Sequence, residues 1–170
     1  MDSKLHWYAA YVKSCQEFKV AEALARLGIG YYLPLRREIR KWSDRRKVVE
    51  RPVIARVIFV HATETDRVRA LREIPALHRY ITFDGPYTAA VIRDAEMETF
   101  QAMVELGGEK VELSAAPIAP GDRVRIVSGP LAGRQCEVVQ VGSRHCVVAR
   151  LGLIGTATME LSTATLEKIE

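Results

Sequence analysis

The residues with the widest chemistry in this 170-residue chain are its three cysteines and four histidines, since thiolates and imidazoles serve as nucleophiles, bases and metal ligands. His145 adjoins Cys146, and Cys136 lies nearby, but this is not the regular spacing of a zinc site. Cys15 has no matching base in view. No Gly-rich phosphate loop, C-x-x-C or H-E-x-x-H motif occurs. We therefore predict no catalytic residue, no metal and no cofactor, with cysteines that stay free.

A second kind of chemistry is electrostatic and belongs to residues 36–51, RREIRKWSDRRKVVER. This segment holds eight basic and three acidic residues, a charge of +5, whereas the whole chain carries +4. Such a local patch can contact nucleic-acid phosphates or an acidic protein, or it can be a hairpin edge kept from aggregating by its charges. The cations nearest its predicted tip are Arg40, Lys41, Arg45, Arg46 and Lys47.

The third candidate is the turn in IVSGPLAGRQCEVV, residues 126–139, which joins two runs of alternating apolar and polar residues. Leu131 lies at the tip of this turn. It is either tucked under the fold or offered to a partner, and Arg134 beside it adds a charge. Cys136 stands where the turn could use another glycine.

The elements that must position these residues alternate between strands and helices over the first two thirds of the chain. The pattern predicts strands at residues 5–13, 31–39, 46–54, 57–60 and 78–83. The first helix follows a capping box of Ser14 and Glu17 and ends at Gly28. Thr63 caps the second helix, and Val68 and Leu71 are expected to face inward from it. The third helix starts at Asp94. The segment 31–62 reads as a long basic hairpin that feeds a central strand.

From residue 120 the sequence pattern changes to short runs of alternating apolar and polar residues separated by glycine turns, which indicates a small all-β barrel. The predicted fold class is α+β: an α/β sandwich with an antiparallel sheet at residues 1–107, a linker at 108–119 and an SH3-like barrel at 120–170. No run is long enough to span a membrane and no signal peptide is visible. We expect a cytoplasmic monomer.

Several motifs resemble one family. PGDRVRIVSGPLAGRQCEVV, residues 120–139, resembles the KOW motif of ribosomal proteins and NusG-type transcription elongation factors. W-Y-A-x-Y-V-K-S-x-x-E at 7–17, Y-L-P at 32–34 and P-V-I-A-R-V-I-F-V at 52–60 resemble the NusG N-terminal (NGN) domain. W-S-D-R-R-K at 42–47 resembles specialised NusG paralogues, particularly the UpxY group of capsular polysaccharide operons. By the order and spacing of these motifs, the chain resembles a NusG-like elongation or antitermination factor.

The resemblance implies an N-terminal domain that clasps the clamp helices of the largest RNA polymerase subunit in an apolar concavity. Ile54 is expected to be exposed, since it follows Pro52 and matches an exposed Phe of the family, while Phe59 is assigned to the core. Ala55-Arg56-Val57 replaces the family's P-x-Y, which makes the expected surface flatter. The matching positions are Tyr8, Ile54, Arg56, Val57 and Tyr80.

The resemblance also implies further contacts. The loop that opens the second helix can contact nontemplate DNA in the specialised paralogues, and the basic hairpin is a candidate for upstream duplex DNA. The loop residues that match are His61, Thr63 and Arg67, although a capped helix with solvated charges explains them equally well. The family's barrel binds ribosomal protein S10 or termination factor Rho, and its matching tip is Gly129, Pro130, Leu131 and Arg134.

Three functions compete at this point. The leading hypothesis is a NusG-like factor that promotes processive elongation or antitermination, with a polysaccharide-biosynthesis operon as its target. The alternative is a ribosome-associated KOW protein whose basic hairpin binds structured RNA. A small enzyme that uses Cys15 is the third.

Overall fold

The computed structural model describes residues 4–41, 45–83, 88–107, 112–114, 123–126, 131–141, 144–151, 154–160 and 166–168. The chain divides into two compact units, Met1–Asp94 and Ala95–Glu170. The described residues form three helices and thirteen strands, and every strand pair is antiparallel. The predicted α+β class is confirmed.

The N-terminal unit is built on one antiparallel sheet and a separate hairpin. Its strands are β1 (His6–Val12), β2 (Gly30–Tyr32), β3 (Leu35–Lys41), β4 (Arg46–Pro52), β5 (Val57–Ala62), β6 (Leu77–Tyr80) and β7 (Val91–Ile92). Its helices are α1 (Glu17–Arg26) and α2 (Glu64–Glu73). The main sheet has the order β2-β5-β1-β6, with β7 also paired to β1, and β3 pairs with β4 alone.

The single strand predicted over residues 31–39 is wrong, because the chain forms two strands there. Between β2 and β3 lies Pro34, which has no N–H to donate to a ladder and is therefore disfavoured inside a sheet. Its carbonyl accepts a hydrogen bond from the Val53 N–H at 2.8 Å. Pro34 thus ends pairing with β5 and starts the hairpin.

The first helix starts without the predicted capping box. Gln16 is its N-cap and makes no side-chain cap hydrogen bond. The Glu17 carboxylate is buried and accepts instead from the backbone N–H of Arg56, at 2.9 Å. The other end agrees with the prediction, since Gly28 follows the helix with a φ of +70°, the left-handed conformation that glycine adopts without a Cβ penalty.

The second helix covers the predicted residues but turns a different side inward. Val68 is half-buried and Leu71 is exposed, whereas Arg67 and Ala70 are buried. The apolar spacing therefore predicted the wrong face, because the guanidinium of Arg67 finds partners that allow it to be buried.

The N-terminal unit buries side chains on both sides of its main sheet, with Ala9, Val57 and Phe59 on one side. The hydrophobic core cluster lies on the other side, where strand residues pack with α1 and the chain around α2. Its fully buried members include Ala10, Val12, Val20, Leu24, Ile58, Val60 and Ala70. Burial of these side chains, at about 25 cal/mol per Å² of apolar area, is the main favourable contribution to folding of this unit.

The C-terminal unit contains nearly all of α3 (Asp94–Gly107) and a six-stranded antiparallel sheet. The sheet order is β13-β9-β10-β11-β12-β8. Its strands are β8 (Glu112–Ser114), β9 (Arg123–Ile126), β10 (Gln135–Val141), β11 (Arg144–Arg150), β12 (Thr156–Glu160) and β13 (Leu166–Lys168).

The boundaries of the units differ from those predicted for the domains. The division falls at Asp94, the first residue of α3, so nearly all of the helix groups with the C-terminal sheet rather than with the N-terminal unit. The predicted linker also contains β8, which pairs with β12. The boundary at residue 107 stays a prediction. Within the described ranges, no helix is long and apolar enough to cross a membrane.

Candidate functional site

The two faces of the main sheet separate the residues predicted to contact polymerase. Directly opposed residues of antiparallel strands lie on the same face, and neighbours along a strand alternate. Tyr8 is opposite Val60 and belongs to the core beside α1, as does Tyr80. Val57 is opposite Tyr11 and so lies on the other face. The expectation that Tyr8 and Tyr80 share one surface with Val57 is therefore wrong.

The face opposite the α1 core carries a row of rings, and we call it the aromatic face. Trp7 stacks on His61 with ring centroids 4.5 Å apart, and Tyr32 lies 6.3 Å from Phe59. The Arg79 guanidinium lies 5.1 Å from the Tyr11 ring centroid. The aromatic face consists of Trp7, Tyr11, Tyr32, Phe59 and His61, with Val57 beside Tyr11.

The rings of this face differ in exposure. Phe59 is fully buried, as predicted for a core residue, whereas Trp7, Tyr11 and Tyr32 are half-buried. Gly30, opposite His61, leaves room for that residue, because a Cβ there would lie 3.0 Å from the His61 carbonyl oxygen. The face thus offers large apolar surfaces with polar tips, the type of side chain enriched at protein interfaces.

The turn before β5 holds the other two predicted polymerase residues. Ile54 is buried at 8% exposure, so the expectation of an exposed side chain is wrong. Arg56 is exposed and has a φ of +62°, an uncommon conformation for a residue with a Cβ. Its N–H is bound by Glu17 and its carbonyl accepts from the Val12 N–H at 2.9 Å. These two hydrogen bonds hold the backbone of Arg56 in its unfavourable left-handed conformation.

The three residues of the predicted DNA loop do not lie on one surface in the structure. His61 lies on the aromatic face. The Thr63 hydroxyl accepts from the Asp66 N–H at 3.2 Å, which confirms the predicted helix cap. Arg67 is buried at 8% exposure and lies on the opposite side of the sheet from His61, and its contact with nucleic acid stays a prediction.

Arg67 lies between two rings of the core side. Its guanidinium is 5.6 Å from the Tyr8 ring centroid and 5.1 Å from that of Tyr80, and it forms an ion pair with Glu64. The hydrogen bond from Arg67 lowers the pKa of Glu64, and the same bond raises the pKa of Arg67. Burial raises the pKa of Tyr80. The Arg67 guanidinium is therefore paired inside the fold, whereas the buried Tyr80 hydroxyl has no hydrogen-bond partner among the described residues.

The hairpin β3–β4 divides into a root whose arginines form ion pairs with glutamates and a tip that carries only cations among its described charged residues. At the root, Glu38 binds Arg36 at 2.9 Å and Arg51 at 3.6 Å, and Glu50 lies 3.5 Å from Arg37. At the tip, no ion pair joins the cations to any other residue that the structure describes. These cations are Arg40, Lys41, Arg45, Arg46 and Lys47.

The KOW turn is only partly described, since Gly129 and Pro130 lie outside the described residues. Leu131 is buried at 2% exposure, so the exposure expected of a docking residue at the turn tip is wrong. Arg134 is accessible and its Nη1 lies 3.7 Å from Glu98 Oε2 of α3. Among the described residues of the predicted docking set, Arg134 alone presents an accessible charged group.

In the described part of the chain, Cys136 and Cys146 do not lie opposite each other and no metal-binding cluster forms. Cys136 in β10 is opposite Val124, whereas Cys146 in β11 is opposite Val139, so the two are not cross-strand neighbours. Cys136 is free and buried, and burial raises the pKa of its thiol to about 11. Within the described ranges, no group of three or more His, Cys, Asp and Glu side chains could hold a metal ion.

The comparison with known families decides what these modules are. The family model for NusG, described as transcription termination factor nusG, matches residues 5–101, more than half of the chain. The chain belongs to the NusG family. The model of the KOW motif matches residues 120–141, so both predicted modules of this NusG-family protein are confirmed in the expected order. No curated protein sequence matches it.

Solved structures of NusG and Spt5 proteins are similar to this NusG-family protein. One, described as "Domain interaction in Thermotoga maritima NusG", is 20% identical, covers 98% of both chains and has a TM-score of 0.49. Conformations A and B of the MjSpt4:Spt5 complex are 16% and 17% identical, cover 96% of this chain and 97% and 96% of their own, with TM-scores of 0.32. NusG-family proteins are transcription elongation factors rather than enzymes.

Sequence reasoning missed four residues of the described site, Trp7, Tyr11, Tyr32 and Glu17. A signal for the first two was present, because β1 was predicted and alternation puts Trp7 and Tyr11 on one face and Tyr8 on the other. Glu17 had no such signal, since a capping box and a long-range contact use the same carboxylate.

Proposed function

We propose that this NusG-family protein binds RNA polymerase through the aromatic face and promotes processive elongation. Family membership supports the partner, and the row of half-buried rings that includes Trp7, Tyr11 and Tyr32 is the observation that supports the surface. The expected target is the pair of clamp helices of the largest subunit, and flat rings with polar tips suit the apolar stripe of such helices.

The roles of the other predicted polymerase residues follow from their positions. Val57 lies on the aromatic face beside Tyr11 but is buried at 3% exposure, so we assign it a packing role beneath that face. Arg56 is exposed at the turn that precedes it. We assign to Arg56 a charged contact at the rim of the interface. Tyr8 and Tyr80 act in the core and receive no role in binding.

Two adjacent tyrosines in β2 provide a matched test. Tyr32 is opposite Phe59 on the aromatic face, whereas Tyr31 is opposite Val60 on the core side and is exposed. With the protein immobilised and purified RNA polymerase in solution, Tyr32→Glu should reduce capture about tenfold or more, and Tyr31→Glu should leave capture close to wild type.

The experiment tests the binding surface and polymerase binding itself by different outcomes. Equal capture by wild type and both variants would refute the aromatic face as the binding surface. If the wild-type protein captures no polymerase, polymerase binding itself is refuted. Circular dichroism of each variant verifies that the fold is retained.

The specific role that we propose is antitermination in a polysaccharide-biosynthesis operon. Its support is the resemblance of residues 42–47 to specialised NusG paralogues. In a purified transcription system with a terminator in the template, the protein should raise read-through. A partner of the KOW domain, S10 or Rho, stays a prediction.

A further inference from the structure

The β3–β4 hairpin has two chemically different faces, which its register defines. Ile39 is opposite Val48, and Lys41 is opposite Arg46, so these four side chains share one face. We call it the Ile39–Val48 face. Arg40 and Lys47 are opposite each other on the reverse face. The same hairpin therefore presents cations on both sides and an apolar pair on one side.

The tip opposes like charges across the strands twice, in the pairs Arg40–Lys47 and Lys41–Arg46. Like charges directly opposite each other destabilise a strand pair. At the root, the arginines have glutamate partners that offset this repulsion. A surface that keeps two repulsive pairs without described counterions is complementary to a polyanion.

The Ile39–Val48 pair is the second observation. Ile39 is 68% exposed and Val48 is 59% exposed, although both are β-branched aliphatic residues at the middle of a two-stranded sheet. Charges alone would keep a hairpin edge from aggregating and would not require an apolar pair in solvent. An apolar pair beside cations fits a ligand that has apolar groups between rows of phosphates.

We propose that the Ile39–Val48 face lies in the major groove of duplex DNA. Seven-residue strands make an arm about 20 Å long. The major groove of B-DNA, about 12 Å wide, admits a two-stranded ribbon, whereas the minor groove, about 6 Å wide, admits one only when the duplex is bent and the groove widened. Ile39 and Val48 contact the thymine methyl groups and the groove floor, and Lys41 and Arg46 on the same face bind phosphates.

The groove geometry also separates duplex DNA from RNA. The major groove of A-form RNA is deep and narrow, so a ribbon cannot enter it. Single strands are bound by stacking on aromatic rings, and the Ile39–Val48 face has none among its described residues. This inference uses the proposed function for its setting, the DNA upstream of the polymerase, but the contact is made by this chain alone.

The test is binding of the full chain to a fluorescently labelled duplex of roughly 24 base pairs, about two helical turns. Fluorescence anisotropy gives the dissociation constant at several salt concentrations from about 50 to 200 mM. Two double variants form a matched pair, since each removes two exposed cations at neighbouring registers. Lys41→Gln/Arg46→Gln alters the Ile39–Val48 face, and Arg40→Gln/Lys47→Gln alters the reverse face.

The first double variant should weaken binding about tenfold and reduce the salt slope by about 2, and the second should do so much less. Ile39→Ser/Val48→Ser should weaken binding about tenfold while the salt slope is unchanged. Equal losses in the two charge variants would overturn the face assignment. Wild-type binding that is as tight to duplex RNA or to single-stranded DNA would overturn the major-groove contact.

The outcomes for DNA and for polymerase are independent. A wild-type protein that captures polymerase but shows no duplex binding at low salt refutes this inference and leaves the proposed function intact. If the protein binds duplex DNA through this face but captures no polymerase, the proposed function is refuted and this inference stands.

Discussion

The Glu17 carboxylate accepts a hydrogen bond from the backbone N–H of Arg56 at 2.9 Å, across 39 residues of sequence. Glu17 opens α1 and Arg56 lies in the turn that leads into β5, the central strand that carries Val57 and Phe59. The hydrogen bond therefore ties the first helix to the turn that starts one edge of the aromatic face. Arg56 has a φ of +62°, which is unfavourable for a residue with a Cβ, and the hydrogen bond from its N–H to Glu17 stabilises this conformation.

Replacement of Glu17 by alanine should destabilise the N-terminal unit by about 1–3 kcal/mol, because a part-buried N–H loses its acceptor. Glu22→Ala is the matched control, since Glu22 is an exposed carboxylate in the same helix and should cost within about 0.5 kcal/mol. Urea unfolding followed by circular dichroism measures both. Equal midpoints for the two variants would contradict the role of Glu17.

Arg56→Gly should leave stability unchanged or raise it by up to about 1 kcal/mol, although glycine substitutions usually destabilise. The left-handed conformation costs a residue with a Cβ about 1–2 kcal/mol, which exceeds the entropy that glycine gains in the unfolded chain. Ala55→Gly, one residue earlier at an ordinary φ, should destabilise. The order of the two thermal midpoints tests the prediction, and a lower midpoint for Arg56→Gly than for Ala55→Gly would refute it.

Arg67→Ala should cost about 2–3 kcal/mol, since it removes a buried cation that contacts two tyrosine rings and Glu64. Arg69→Ala removes an exposed cation from the same helix, paired with Glu73 at 3.0 Å, and should cost less than about 1 kcal/mol. Chemical denaturation of both variants gives the comparison.

A second measurement tests the Arg67 pair directly. Because Arg67 lowers the pKa of Glu64, the pair stabilises the fold above the unfolded pKa of Glu64, and this stabilisation is lost as the pH falls through the folded pKa. An NMR titration of the Glu64 carboxyl should show its pKa rise toward the ordinary value in Arg67→Ala. An unchanged pKa would show that the pair does not form in solution.

Cys136 should make stability fall at alkaline pH. Burial raises the pKa of its thiol from the ordinary 9.0 to about 11, and Glu96 adds to the rise. The folded state therefore keeps the proton longer than the unfolded state does, so the stabilisation is complete below pH 9 and is lost as the pH rises toward 11. The loss should be about 2 kcal/mol.

The variant Cys136→Ala isolates that effect from other alkaline titrations. The difference in unfolding free energy between wild type and Cys136→Ala should shrink between pH 8 and pH 11. Parallel curves for Cys136→Ala and wild type would mean that the thiol is not buried.

Local patterns in the sequence predicted most elements and the family correctly, because they depend on neighbours along the chain. Strand alternation, the Thr63 cap and Gly28 after the first helix were all confirmed, since each involves residues a few positions apart. The motifs at residues 7–17, 52–60 and 120–139 indicated the family for the same reason.

Which side chains meet was settled by strand pairing and packing, for which the linear pattern has no unique answer. Alternation states that Tyr8 and Tyr11 are on opposite faces, but not which face meets α1; the pairing of β1 with β5 and the burial of α1 decide it. The fate of the charges was equally non-local. Arg67 became a core residue because two rings and Glu64 surround it, whereas the tip cations of the hairpin stay exposed because their strands pair with each other alone.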